Sequence, residues 1–215
     1  HHELTYAVNY PLKIYFCCTK AASEGGETPI ANGRNIYQKI DRDILQAFKE
    51  KKWMLVRNYN DGFGLPWQEV FQTEDKAAVE TFCEQNAIEF FWKAGDRLQT
   101  RQIREAVHYH HQTGEPIWFN HAAFFHYTNL NADLHAEFKE DSLPYNTYYG
   151  DGSAIAPETV LHINQIYQQE KILFPWQEGD VLMLDNMAVA HGRQPYKGDR
   201  EILTAMSESV QPSGN

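Results

Sequence analysis

The segment Gly179-Asp-Val-Leu-Met-Leu-Asp-Asn-Met-Ala-Val-Ala-His191 decides how the rest of the chain is read. Residues 181–185 form a short apolar run opened by Gly-Asp and closed by Asp-Asn, which reads as a strand, and a second apolar stretch carries the chain on to a histidine. Runs of the same kind recur at residues 12–18, 53–59, 88–93, 117–121 and 202–206, each bounded by Gly, Pro, Asn or Asp. Three segments have helical spacing instead. Residues 35–51 place Ile36, Ile40, Ile44 and Phe48 on one stripe, residues 73–85 start with Thr73 as a cap, and residues 157–170 start with Pro157 and align Val160, Ile163 and Tyr167. Many short strands, few helices and Gly/Pro turns favour a sandwich or jelly roll over a doubly wound sheet, which needs regular strand-helix alternation. The expectation is a mainly β fold with helices (α+β), a cupin-like jelly roll forming one domain over residues 1–210, with residues 211–215 as a frayed tail.

Composition narrows the partners. The chain has 215 residues, enough for one core, with 19 Lys and Arg against 29 Asp and Glu and a formal charge of -10. That charge repels a phosphate backbone and an anionic membrane surface, so the expected partner is a small molecule, not nucleic acid or membrane. No apolar run approaches the ~20 residues that span a bilayer. Cys17, Cys18 and Cys83 are an odd set with two neighbours that cannot form an unstrained bridge, which points to a reducing, cytoplasmic compartment.

Jelly rolls of this type hold metals in their mouths, so histidine and carboxylate spacing comes next. On an extended strand, side chains two apart point the same way, and His1 and Glu3 would then stand side by side. His191 supplies a third ligand from an opposing strand. Two histidines and one carboxylate leave three coordination positions open, the facial triad of non-haem Fe(II) oxygenases. An H-x-E pattern alone is weak in a chain with ten histidines, and an opening His1-His2 also reads as a tag remnant. His108 and His110 alternate as a rival pair, without an acidic partner in the sequence; His111, His121, His126, His135 and His162 read as surface or hydrogen-bonded core residues.

Two further features suit an anionic cosubstrate. Gly25-Gly-Glu-Thr-Pro29 is a sharp turn entering a strand, with glycines that allow close backbone approach and Thr28 as a hydroxyl donor; a plain hairpin loop is the blander reading. Arg200 lies nine residues past His191 and is expected on the antiparallel neighbour of the His191 strand, where a buried guanidinium would take a carboxylate. The blander reading is a surface pair with Asp199 or Glu201. Trp118, Phe119 and Asn120 could line a pocket, with core packing favoured for the aromatics, and Asp185 and Asn186 could orient His191 from behind. Phosphate loops, G-x-S-x-G elbows, C-x-x-C ribbons and H-E-x-x-H are absent.

In order, His1-His-Glu3-Leu-Thr-Tyr6, Gly25-Gly-Glu-Thr-Pro-Ile30, Trp118-Phe-Asn120, Gly179 to Asn186, His191-Gly-Arg193 and Arg200-Glu-Ile-Leu203 resemble the taurine dioxygenase (TauD/TfdA) family, within the clavaminate synthase-like superfamily, over residues 1 to about 206. The resemblance implies His1, Glu3 and His191 as iron ligands, Thr28 and Arg200 as 2-oxoglutarate ligands, and Fe(II), 2-oxoglutarate and O2 as the cofactor and cosubstrates. Glu3 in place of the usual Asp resembles the subgroup that hydroxylates amino acids or amino-acid-derived specialised metabolites, free or tethered to a carrier protein, and argues against halogenation. Relatives carry a segment ahead of the first ligand, so a chain without it is expected to expose edges and to self-associate as a homo-oligomer. The competing expectations are a cupin-like metal enzyme of non-oxidative chemistry, which has no need of a dicarboxylate clamp, and a metal-free jelly-roll binding module.

Overall fold

The computed structural model describes residues 1–59, 64–130 and 143–210. Residues 211–215, read as a tail, lie outside the described residues, as does His135. In chain order the described elements are strands β1 (Tyr10–Lys20), β2 (Glu24–Gly25) and β3 (Ile30–Asn32), helices α1 (Gly33–Lys39) and α2 (Arg42–Lys51), β4 (Trp53–Tyr59), α3 (Trp67–Phe71), α4 (Lys76–Gln85), β5 (Glu89–Lys93), β6 (Arg97–Arg104), β7 (Val107–Tyr109), β8 (Pro116–Trp118), β9 (Tyr145–Tyr149), α5 (Pro157–Glu170), β10 (Val181–Asp185), β11 (Val189–His191), β12 (Tyr196–Lys197) and β13 (Glu201–Val210). They fall into two compact units, one of His1–Leu45, Val107–Asn120 and His162–Asn215, the other of Gln46–Ala106 and His121–Leu161.

The first unit is organised by β1. It pairs antiparallel with β10 on one side and β13 on the other, and its alternation sends Ile14, Phe16 and Cys18 into the interior. Ile14, Phe16 and Leu184 form a core with Ile30, Trp176, Leu182, Val189 and Ile202 packed against it. Tyr10, Ile117, Phe119 and Met187 form a second cluster. Burying each such side chain contributes roughly 1.5–3 kcal/mol. The opposite face of the sheet leaves Val181, Met183 and Leu203 exposed. Three two-stranded ribbons complete the unit: β3 with β11, β2 with β12, and β7 with β8.

The second unit is a four-stranded antiparallel sheet in the order β5-β6-β4-β9. One face of it carries Tyr59 and Leu98 onto Trp67 of α3 and onto Val79 and Cys83 of α4. Trp67 meets Trp92 edge-on at 5.2 Å between centroids.

Local chemistry explains where the structure departs from the sequence reading. The stripe over residues 35–51 is real, since Ile36, Ile40 and Phe48 are buried, but it belongs to two helices. Ile40 leaves α1 in extended backbone (φ -66, ψ 135), and the Asp41 carbonyl accepts the Leu45 N–H to start α2, with Asp a favourable residue ahead of a helix. Thr73 does not cap α4. Asp75 does, accepting the Ala77 N–H at 2.9 Å, while the Thr73 hydroxyl accepts the Asp75 N–H. Residues 119–121 leave the strand conformation expected for 117–121, because β8 ends at Trp118.

Candidate metal centre

Glu3 lies in a turn, not on the strand expected from the H-x-E spacing. Leu4 adopts φ 55 and the Ala7 N–H returns to the Leu4 carbonyl at 2.9 Å. His1 and Glu3 nevertheless converge, because separate backbone contacts position each of them. The His1 nitrogen donates to the His191 carbonyl at 3.0 Å, and the His191 N–H donates to the His1 carbonyl at 2.8 Å. This two-bond pairing locks the first histidine beside the last.

Asn186 fixes Glu3. Its Oδ1 accepts the Glu3 N–H at 2.7 Å, and its Nδ2 donates to the Glu3 carbonyl at 3.0 Å and to the Pro11 carbonyl at 2.8 Å. Its own N–H donates to the Leu12 carbonyl, and its carbonyl meets His2 Nδ1 at 2.7 Å. A fully buried amide with its capacity filled holds a turn rigidly. Asn186 therefore positions Glu3 and its neighbour His2, and makes no hydrogen bond to His191, the residue the sequence reading had it orient.

His2 points away from the ligands. It is fully buried, stacks on Phe119 at 5.0 Å, and lies under Gly33, where a Cβ would come within 3.2 Å of the imidazole and 2.6 Å of Ile117. Burial pushes its imidazole down to about 3, so it is a neutral core residue.

The result is a cluster in which one donor atom each of His1, Glu3 and His191 lies within 4.8 Å of the others. Glu3 Oε2 stands 3.6 Å from His191 Nε2 and 3.9 Å from His1 Nε2, and the two imidazoles are 4.7 Å apart between centroids. These separations exceed a hydrogen bond. Two donors at right angles on bonds of ~2.1 Å sit roughly 3 Å apart, so the cluster is only slightly more open than one gathered round an ion. His191 Nε2 faces Glu3 Oε2 in the cluster, and its Nδ1, on the other side of the ring, is buried with no hydrogen-bond partner among the described residues. The donor set, two imidazoles and a carboxylate, fits Fe(II). His1 and Glu3 keep side-chain exposures of 23%, which leaves one side of the cluster open.

Beside the cluster lies an open cleft of about 100 Å³, lined by His1, Ile30, Tyr167, Ala190 and His191 with Lys171 among its polar residues. Burial pushes the Tyr167 phenol well above its usual range.

Arg200 does not sit on the neighbour of the His191 strand. β11 pairs with β3, whereas the strand after Arg200 pairs with β1; the intervening β12–β2 ribbon diverts the chain. Arg200 Nε instead donates to the Gly26 carbonyl at 2.8 Å, and a Cβ on Gly26 (φ +77) would meet Arg200 Cδ at 3.0 Å. The glycine turn is thus shaped to admit the guanidinium. Asp199 pairs with Lys20 and Glu201 with Thr19, so the surface-pair reading of Arg200 does not describe its hydrogen bonding. Burial lowers the Arg200 pKa from its ordinary value, and Cys18 is among the groups it feels. Phe16, two residues before Cys18 on the same face of β1, packs on the His191 ring at 5.2 Å. One face of β1 therefore leads from His191 toward Arg200, a spacing of about 7 Å for two residues of strand. Thr28 is buried and its hydroxyl accepts the Trp176 Nε1–H at 3.0 Å, which leaves its own proton to donate elsewhere.

The remaining sequence candidates have other surroundings. His110 does have an acidic partner, contrary to the sequence reading: its Nε2 lies 2.8 Å from Asp185 Oδ2. Asp185 Oδ1 accepts the Met187 and Ala188 N–H groups, so it shapes the turn into β11. Among the described residues, the single group of three or more potential metal ligands is His1, Glu3 and His191. Trp118, Phe119 and Asn120 are all buried around the end of β8, with Phe119 in the Tyr10 cluster. The Asn186 clamp and the role of Phe16 escaped the sequence reading; the Asp-Asn pair before the distal histidine was the visible signal of the first.

The chain is 41% identical over 217 residues to dapdiamide synthesis protein DdaC of Enterobacter agglomerans, covering 99% of this chain and 66% of that protein. It is 27% identical over 216 residues to a clavaminate synthase-like protein of Arabidopsis thaliana, covering 96% and 63%. The chain thus spans about two thirds of the length of these curated relatives. The crystal structure of AAD-2 in complex with Mn(II) and N-oxalylglycine superposes with a TM-score of 0.57 at 13% identity, covering all of this chain and 70% of that one. The likeness establishes the mainly β, double-stranded β-helix fold expected from the sequence. A family description, taurine catabolism dioxygenase TauD, TfdA family, matches residues 1–206, a span that includes the three clustered side chains, the glycine turn and Arg200; the chain belongs to that family.

Proposed function

We propose that this chain is the catalytic core of an Fe(II)- and 2-oxoglutarate-dependent dioxygenase that hydroxylates an unactivated C–H bond of an amino acid or an amino-acid-derived metabolite. The observation that carries the proposal is the open cluster of His1, Glu3 and His191 with donors within 4.8 Å of one another. The overall reaction converts substrate, 2-oxoglutarate and O2 into hydroxylated product, succinate and CO2. Bound at this cluster, Fe(II) would supply the oxygen-activating redox chemistry that no side chain provides.

The chain's own residues hold and shield. His1, Glu3 and His191 bind the metal on one side and leave the other free. Arg200, held to the Gly26 carbonyl through Nε, turns its terminal nitrogens to the far carboxylate of 2-oxoglutarate, and Thr28 adds a hydroxyl proton. Phe16, between the two ends, excludes water from the cosubstrate's aliphatic middle. The clamp favours this reading over a non-oxidative cupin-like enzyme, and the convergence of two imidazoles and a carboxylate favours it over a metal-free binding module.

The cleft beside His1 and His191 suits a small substrate, with Lys171 as a cation for an acidic group. The choice of an amino-acid-like substrate, free or carrier-tethered, rests on Glu3 in place of Asp. Asn120 and Trp118 are retained as candidate pocket or supporting residues. The three free cysteines support a cytoplasmic setting, and exposed Val181, Met183 and Leu203 support self-association through the outer sheet face.

Anaerobic addition of Fe(II) and 2-oxoglutarate to the apoprotein tests the proposal. A visible metal-to-ligand charge-transfer band is expected, lost in Glu3→Ala and weakened in Arg200→Ala. Absence of the band from folded wild-type protein would overturn the assignment.

A further inference from the structure

The sheet of the second unit has a face that the proposed chemistry does not use. Tyr59 and Leu98 point into the Trp67 cluster, so Asn58 and Gln99, their neighbours in the alternation, occupy the other side. Register places Asn58 opposite Gln99, and Val56 between Arg101 on one side and Asn146 on the other. A cavity of about 200 Å³ opens there, lined by Met54, Val56, Asn58, Gln99, Arg101 and Asn146 among others, room for a small ion or a short acid.

The lining has an uneven hydrogen-bonding balance. Asn58, Gln99 and Asn146 are 6%, 8% and 4% exposed, and each amide oxygen is already committed inside the protein. Asn58 Oδ1 accepts from Gln99 Nε2 at 2.9 Å and from Lys93 Nζ at 3.3 Å. Gln99 Oε1 accepts from Arg101 Nε at 3.3 Å and Nη2 at 3.1 Å. Asn146 Oδ1 accepts the Tyr127 N–H at 3.0 Å. Donors are left over: Asn146 Nδ2 and Arg101 Nη1 have no acceptor among the described residues. Donors that line a cavity and have no protein acceptor are available to a ligand that supplies one.

Charge points the same way. Arg97 and Arg101 share this face with Gln99, and Lys93 stands opposite Arg97; Glu89, opposite Arg101, is the one acid in these two strands on that side. Lys93 and Arg101 reach neutral amides, and Arg101 also lies 4.9 Å over the Phe91 ring. This is a cationic, donor-rich cavity in a chain of net charge -10. We propose that it is a second ligand site, made of none of the residues of the metal cluster, that binds the carboxylate or phosphate group of a small anion. Arg101 and Lys93 supply charge, and Asn146 Nδ2 supplies a directed hydrogen bond.

The test is calorimetric titration of the metal-free full chain with inorganic phosphate and, separately, with malonate. Saturable binding of at least one is expected, and the anion that binds more tightly identifies the source group. Arg101→Gln should weaken it at least about tenfold. Asn146→Asp, which keeps the oxygen facing Tyr127 but replaces the donor with a negative oxygen, should abolish it. Arg200→Ala should leave it unchanged. Arg101 is exposed, so its variant reports even if Asn146→Asp misfolds by circular dichroism. No saturable binding to wild type, equal binding to wild type and Arg101→Gln, or loss of binding in Arg200→Ala would each overturn the proposal.

Discussion

The two units handle buried polar groups differently. In the first, Asn186 is satisfied on every side by backbone and holds Glu3, while Nδ1 of the neighbouring His191 is left without a hydrogen bond. In the second, Asn58 accepts from Gln99 and Lys93, Gln99 accepts from Arg101, and Asn146 accepts a backbone N–H, leaving donors facing a cavity. In the first unit the supporting residue is complete and the reactive one is not; in the second the incompleteness is shared. This teaches that an unmet hydrogen bond carries most information when the groups around it are fully met.

The contrast can be broken most severely at Asn186. Asn186→Ala removes three side-chain hydrogen bonds and strands the Glu3 N–H and the Pro11 carbonyl in the interior, so a loss of about 3–4 kcal/mol in urea unfolding is expected. Affinity for Mn(II) should fall 10–100-fold by titration, and an unchanged metal affinity would show that the clamp does not position Glu3. Gly26→Ala is next. Its φ of +77 and the 3.0 Å approach of Arg200 predict a cost of about 1–2 kcal/mol and roughly tenfold weaker 2-oxoglutarate binding, with metal affinity retained. Thr28→Val should weaken 2-oxoglutarate several-fold, and its accompanying loss of stability, about 1 kcal/mol from the orphaned Trp176 Nε1–H, is measurable by thermal unfolding. The smallest effect is expected at Asp75→Ala, where the lost α4 cap costs about 1 kcal/mol and neither ligand site responds.

How much of this was legible from sequence depended on whether a segment's local chemistry and its tertiary role agreed. β4 and β10 were read with their observed bounds, β4 from its β-branched and aromatic residues and β10 from an apolar run bracketed by Gly-Asp and Asp-Asn. β6, Arg-Leu-Gln-Thr-Arg-Gln-Ile-Arg, was missed, since its alternation sets Leu98 against polar Gln99 and Arg101 that serve the cavity, and no apolar run survives. The ligand types were legible at His1, Glu3 and His191, yet the supposed strand under His1 and Glu3 is a turn, because backbone pairing to His191 and the Asn186 clamp replace strand geometry. Arg200 was identified by charge and distance along the chain, and misplaced because a two-residue ribbon, β12 with β2, carries no sequence signal strong enough to redirect a topology. His110 lacked an acidic neighbour in sequence and has one in space, a long-range contact that spacing rules cannot reach.

The reciprocal pairing of His1 and His191 uses only main-chain atoms. Where the proposed metal ligands His1 and His191 sit is therefore recorded in the backbone, and what they are is recorded in side chains that take no part in holding the place. Such a site behaves as a socket whose pins can be exchanged one at a time: truncating either histidine leaves a vacancy of fixed shape, open to exogenous imidazole, and the scaffold offers a starting point for installing a different donor set without rebuilding the fold.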